Sequence, residues 1–120
     1  MTADQRTFTL PFPPSVNRLF PGKQRRFAST EYKSWREAAD WEIARARVRP
    51  IDGKVRIRID LHPDSKRKAD CDNFNKAILD CLVRMRIIED DNHSVVRELT
   101  TAWGEMRSPP SAVITIVQFG

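Results

Sequence analysis

No stretch of this chain approaches the roughly 20 consecutive apolar residues that span a bilayer, so a membrane-crossing helix is excluded. The opening residues MTADQRTFTLPFPP have no basic start followed by an apolar run, and so do not read as a secretory signal. Cysteine is scarce. Cys71 and Cys81 fall in what reads as one helix, ~15 Å apart and beyond disulfide reach, which suits a reducing, cytoplasmic setting. The two histidines, His62 and His93, do not stand at the spacings that would complete a structural zinc site with those cysteines. Internal repeats, low-complexity runs and long linkers are all missing, so the 120 residues are expected to form one domain, 1–120, around one core.

What the chain has is positive charge. A net charge of +5 and a pI near 9.7 make a polyanion the leading partner class, because clustered Lys and Arg gain affinity by releasing counterions from phosphates.

Hydrophobic spacing gives the order of elements. Phe8, Leu10 and Phe12 alternate with Thr7, Thr9 and Pro11, a strand that Pro11 confines to an edge or ends early. The following stretch, PPSVNRLFPGKQRRFAS, is rich in turn formers and basic residues and predicts a long, positively charged loop. Ser29 can cap a helix whose inward positions are Tyr32, Trp35, Ala39, Ile43 and Ala46, with Arg36, Glu37, Asp40, Arg45 and Arg47 on its other faces. Pro50 and Gly53 lead into the clearest strand, in which Val55, Ile57, Ile59 and Leu61 alternate with Arg56, Arg58, Asp60 and His62. A polar loop precedes a second helix, from Asp72 to about Arg86, with Phe74, Ile78, Cys81, Leu82 and Met85 on one side and Asp72 placed as its N-cap. Strands over 95–103 and 112–119 complete the chain. The fold class predicted is α+β, in β-α-β-α-β-β order, with a four-stranded mixed sheet and two main helices.

The chemistry-bearing residues are acidic and sit among basic ones. Asp70 and Asp72 stand where the polar loop enters the second helix, and Asp90 and Asp91 in the turn past its far end. The predicted helix is ~20 Å long, so Asp91 reaches Asp72 only where the chain doubles back. Carboxylates brought that close repel, and a hard cation such as Mg²⁺ or Mn²⁺, held by oxygen ligands alone, would offset the repulsion. Such a cation can lower the pKa of a bound water and stabilise a departing alkoxide, as phosphodiester hydrolysis requires. Lys76 follows Asp72 by one helical turn and could stabilise the charge of a pentacoordinate transition state. Lys66, Arg67 and Lys68 form a basic rail leading to Asp70. Asn73 and the first-loop residues Asn17, Arg18, Lys23, Arg25 and Arg26 join them as candidate DNA contacts.

Plainer readings compete. Asp72 can be a helix cap, Asp90 and Asp91 turn residues, Lys76 an exposed partner of Asp72 or Asp80, and Lys66 to Lys68 a solvated run. Trp35, Trp41 and Trp103 suit core or interface better than base stacking, His93 reads as structural, and Cys71 is expected to point away from the metal. An EF-hand is excluded, since Phe74 and Asn75 occupy positions that need an oxygen ligand and a Gly. An aspartyl-phosphate enzyme is excluded by the basic loop between strand and Asp pair.

Together, Pro13, Pro14, Ser15 and Asn17, the basic run, the block Asp70, Asp72, Asn73 and Lys76, then Asp80, Asp90 and Asp91 make the sequence resemble the RusA family of Holliday junction resolvases over nearly its whole length. The resemblance implies a homodimeric endonuclease of bacteria and prophages that cuts four-way DNA junctions in recombination and repair. It implies Mg²⁺ or Mn²⁺ held by Asp70, Asp72 and Asp91, with Asp90 as a further candidate ligand, Lys76 as catalytic lysine, and no organic cofactor. The two-fold symmetry of a dimer suits paired cuts. The loop Ser65, Lys66, Arg67, Lys68, Ala69 carries less arginine than some relatives, so the preferred cutting site is expected to differ. The alternatives are a branched-DNA-binding protein that does not cut, and a nuclease acting on another DNA structure.

Overall fold

The computed structural model describes residues 4–20, 28–66 and 70–119. Strand β1 (Gln5–Pro11) is followed by a 3-10 turn (Val16–Arg18), helix α1 (Thr30–Arg45) and strand β2 (Val55–His62). A second 3-10 turn (Cys71–Phe74) runs into helix α2 (Asn75–Arg84), and β3 (Val96–Trp103) and β4 (Ser111–Gln118) close the order. The strands form one mixed sheet in the order β1-β4-β2-β3. β4 is antiparallel to both β1 and β2, and β2 is parallel to β3. The α+β fold and its element order are those predicted.

Alternation decides which face of the sheet is covered. Phe8 and Leu10 of β1, Val55, Ile57, Ile59 and Leu61 of β2, and Ala112, Ile114 and Ile116 of β4 are all buried, whereas Arg56 and Arg58 on the opposite face are exposed. Tyr32, Trp35, Ala39 and Ile43 of α1 and Ala77, Ile78, Cys81 and Leu82 of α2 complete the same core. Each fully buried Ile or Leu contributes roughly 1.5–3 kcal/mol relative to exposure. Ala46 departs from its expected inward place: it is the exposed C-cap of α1, because Arg47 at φ 53° turns the chain away. Trp35 is core and donates from Nε1 to the Pro11 carbonyl at 2.9 Å, while Trp41 is 68% exposed and belongs to no core.

Ser29 caps α1 as expected, accepting from the Tyr32 amide at 3.0 Å, and its hydroxyl also donates to the Arg18 carbonyl at 2.6 Å. One side chain thus ends the first loop and starts the helix. Ser29→Ala should cost about 1 kcal/mol, read as a lower urea midpoint.

The second helix differs from expectation at its start. Phe74 takes φ −107° and ψ 1°, which divides the expected helix into a 3-10 turn and α2, and Arg86 at φ 58° follows its end. Asp72 is therefore not the N-cap: Asp70 occupies that position for the 3-10 turn, without a side-chain capping bond, and Phe74 occupies it for α2. The break seats the Phe74 ring against Phe12 and Trp103, at centroid distances of 5.2 and 5.7 Å.

Beyond β3 the chain passes close to His62, whose Nδ1–H donates to the Glu105 carbonyl at 2.9 Å. A Cβ on Gly104 would stand 2.6 Å from that Nδ1, so Gly104→Ala must displace a buried ring. We expect a loss of roughly 1–3 kcal/mol, measurable by denaturant unfolding.

Candidate active site

The acidic 3-10 turn is fixed from the sheet side. Thr101 of β3 donates from its hydroxyl to the Asn75 side-chain oxygen at 2.7 Å, and the Cys71 thiol points to the Thr101 carbonyl at 3.5 Å. Cys71 thus turns toward the sheet. Asp70 and Asp72 are both exposed, and no described residue hydrogen-bonds or ion-pairs with either carboxylate. The backbone amide of Asn73 donates to the Asp70 carbonyl at 3.1 Å and that of Asn75 to the Asp72 carbonyl, so the turn is held by its backbone and leaves its acidic side chains free. Beside it packs the first 3-10 turn with exposed Asn17 and Arg18. Arg18 lies 3.9 Å from Glu31, and Lys66 is exposed.

One helical turn further on, Lys76 donates to Asp80 at 3.1 Å, the plainer of the readings for that lysine. The hydrogen bond from Asp80 raises the pKa of the ammonium, partial burial opposes the rise, and the charges of Asp80 and then Asp91 add to it. Lys76 is therefore a standing cation and not a proton acceptor near neutral pH. Lys76, Asp80 and Asp91 line an open hollow of about 470 Å³ with Tyr32, Arg36, Val83 and Arg84. Asp90 does the work of a turn, accepting from the Asp91 amide at 2.7 Å and from the Asn92 side chain at 3.0 Å. Its neighbour Asp91 is thereby oriented, and His93 is exposed.

Asp91 thus shares a hollow with Lys76, but among the described residues the three carboxylates do not form one group. Among the described residues, no group of three or more His, Cys, Asp or Glu side chains is placed to hold a metal ion. Topology accounts for this. β2 and β3 are parallel, so the connection between them must return along the sheet, and α2 carries the chain away from the turn that holds Asp70 and Asp72 before Asp91 is reached. Lys23, Arg25, Arg26, Arg67 and Lys68 lie outside the described residues.

Sequence reasoning missed the α1 wall of the hollow. Tyr32 is fully buried and its hydroxyl donates to Asp80 at 3.4 Å, while the Arg36 guanidinium lies 4.0 Å from the Tyr32 ring centroid. The signal available was their spacing of four along α1, which stacks an aromatic and a cation on one helix face.

The sequence profile of the family described as Endodeoxyribonuclease RusA matches residues 11–117, and so takes in both 3-10 turns, both helices and the hollow. The chain belongs to the RusA endodeoxyribonuclease family. It is similar to the crossover junction endodeoxyribonuclease RusA of Escherichia coli strain K12, at 30% identity over 120 residues and 95% of each chain. The protein of the same name from Shigella sonnei strain Ss046 matches at the same identity and coverage. That from Enterobacteria phage 82 is 30% identical over 119 residues and 93% of each chain. The RusA relatives are thus matched along nearly their whole length, with bacterial and phage sources both represented.

Proposed function

We propose that the chain is a structure-selective endodeoxyribonuclease that resolves four-way DNA junctions as a homodimer, by metal-dependent phosphodiester hydrolysis in recombination and repair. The observation that carries this reading is the 3-10 turn at whose start Asp70 and Asp72 stand exposed and paired with no described residue, shortly before Lys76, which Asp80 holds. A helix cap or a surface ion pair would engage those carboxylates. The names of the RusA relatives supply the substrate class.

The donor set suits Mg²⁺, with Mn²⁺ as a substitute, because Mg²⁺ is usually bound by one or two carboxylates together with waters and substrate phosphates. Asp70 and Asp72 would hold the ion. Asp91, oriented by Asp90, lines the neighbouring hollow with Lys76; it is the proposed third carboxylate, although it does not form one group with Asp70 and Asp72 among the described residues. When bound, the cation supplies an acidified water and charge neutralisation at the leaving oxygen.

The chain's own residues do the rest. Lys76, held by Asp80, presents a fixed positive charge to the pentacoordinate phosphorus. As the water oxygen bonds to phosphorus and gives up its proton to solvent, the P–O3′ bond would break and the departing 3′ oxygen take up a proton, leaving a 5′ phosphate and a 3′ hydroxyl that a ligase can rejoin. Arg18 and Asn17, exposed beside the acidic turn, and the exposed Lys66 would hold backbone phosphates, with Lys23, Arg25, Arg26, Arg67 and Lys68 proposed for the same role. Such contacts position the strand and carry no sequence information. Asn73 sits half-buried within the turn, between Asp72 and the helix. Two symmetric cuts follow from two identical sites related by a two-fold axis. A cytoplasmic location, in a bacterium or its prophage, agrees with that substrate.

A synthetic four-way junction and a linear duplex, each incubated with and without Mg²⁺, test the reading. Paired symmetric nicks on the junction alone, and only with metal, are expected. Binding without nicks would make the chain a branched-DNA binder, and equal cutting of both substrates a nuclease of other specificity.

A further inference from the structure

The hollow beside α2 contains three cations in different electrostatic states. Arg84 donates to Asp40 at 2.6 Å and Lys76 to Asp80 at 3.1 Å, so each is matched to an acid. Arg36, on the α1 wall, pairs with no acid among the described residues. Its guanidinium rests over the buried Tyr32 ring, 4.0 Å from the centroid, and its Nε is buried with no hydrogen-bond partner. A guanidinium carries five N–H donors in a planar fork and does not lose its proton; with Nε covered, the terminal Nη groups, which no described residue engages, are the donors left to take an anion. Stacking on the ring fixes the plane of the fork before any ligand arrives.

The support beneath Arg36 is shared with the lysine. Tyr32 reaches Asp80 through its hydroxyl, and Asp80 also holds Lys76. Arg36 and Lys76 are thus tied to one tyrosine–carboxylate unit and line one hollow, which Asp91 also lines. A ligand satisfying both must be anionic, offer two or more acceptor oxygens to a planar fork, and lie within a few ångströms of Lys76. A phosphodiester of the strand being cut meets each condition.

We infer that Arg36 grips a backbone phosphate of the cleaved strand close to the scissile one, and so sets the register in which the strand passes Lys76. The inference rests on the nuclease reading given above. Arg36 is a strand-positioning residue, because its donors meet a phosphate that is not broken.

The test is a scan with uncharged methylphosphonates, placed singly at successive positions flanking the cut, on a junction bound without divalent metal. The wild-type protein should lose roughly tenfold in affinity at one position, the size of one charge-assisted contact. Arg36→Gln should lose about as much on the unmodified junction, lose nothing more at that position, and show a salt slope shallower by about 0.9. Arg36→Lys, which keeps the charge without the fork, should respond at the same position with a smaller penalty, and it carries the scan should Arg36→Gln unfold. The inference is overturned if the variants are penalised as wild type is at every position, or if Arg36→Gln binds the unmodified junction as tightly as wild type. Failure of the wild-type protein to prefer the junction over linear duplex would overturn the nuclease reading, which separates the two failures.

Discussion

Asp72→Asn is expected to lower junction nicking by on the order of a thousandfold or more while leaving junction affinity unchanged or improved. The amide keeps the shape of the carboxylate but presents one neutral oxygen to a hard cation, where the ion favours a charged ligand. Acidifying a bound water and neutralising a leaving alkoxide together supply several kcal/mol of barrier lowering, which at about 1.4 kcal/mol per tenfold accounts for a loss of this size. Affinity should move the other way, since removing a carboxylate that faces phosphate removes a repulsion. The fold gives no reason for a structural effect: Asp72 is exposed, caps neither helical segment, and is bonded by no described side chain. Single-turnover nicking at saturating protein, alongside gel-shift affinity, separates the two quantities. A loss of affinity equal to the loss of nicking would make Asp72 a binding residue.

The second large effect is expected at Lys76. Lys76→Met keeps most of the length and the apolar stem of the side chain but removes the positive charge that Asp80 anchors on α2. Removing one preorganised donor from a site of developing negative charge typically costs 10²- to 10³-fold in turnover. Stability should change little, because an exposed i,i+4 pair contributes only about 0.3–0.5 kcal/mol. Lys76→Met should therefore fold and bind the junction but nick it at least a hundredfold more slowly. Asp80→Asn should give a smaller loss, since the lysine remains and loses only its anchor. Equal nicking by Lys76→Met and the wild-type protein would reduce Lys76 to a surface ion pair.

Legibility in the sequence followed the physics of periodicity. β2 reads directly because Val55, Ile57, Ile59 and Leu61 alternate with polar residues over a sheet covered on one face, and its central place keeps that pattern strict. Ser29 is equally legible, since a cap is a local device. The break at Phe74 is not: the apolar spacing continues smoothly from Phe74 to Ile78 and Leu82, and the aromatic packing of Phe12 and Trp103 that seats the ring comes from distant parts of the chain. The same holds for the site. Asp70, Asp72 and Lys76 are close in sequence, and the short path from the 3-10 turn into α2 keeps them near one another. The partner that Asp91 meets depends on the parallel pairing of β2 with β3, which no local pattern encodes, and the structure places it with Lys76. The role of Tyr32 was concealed by its own burial, since a tyrosine at an inward helical position reads as core whether or not its hydroxyl holds a carboxylate.

The central claim is that the carboxylates of Asp70 and Asp72, which no described residue engages, bind the divalent ion. Titrating the ¹⁵N-labelled protein with Mn²⁺ and following paramagnetic broadening of backbone amides measures this without relying on cleavage. Broadening centred on the amides of Asp70 to Asn73, abolished in Asp72→Asn, is the expected result. Sharp signals throughout that turn, with broadening confined to a different part of the surface, would contradict it.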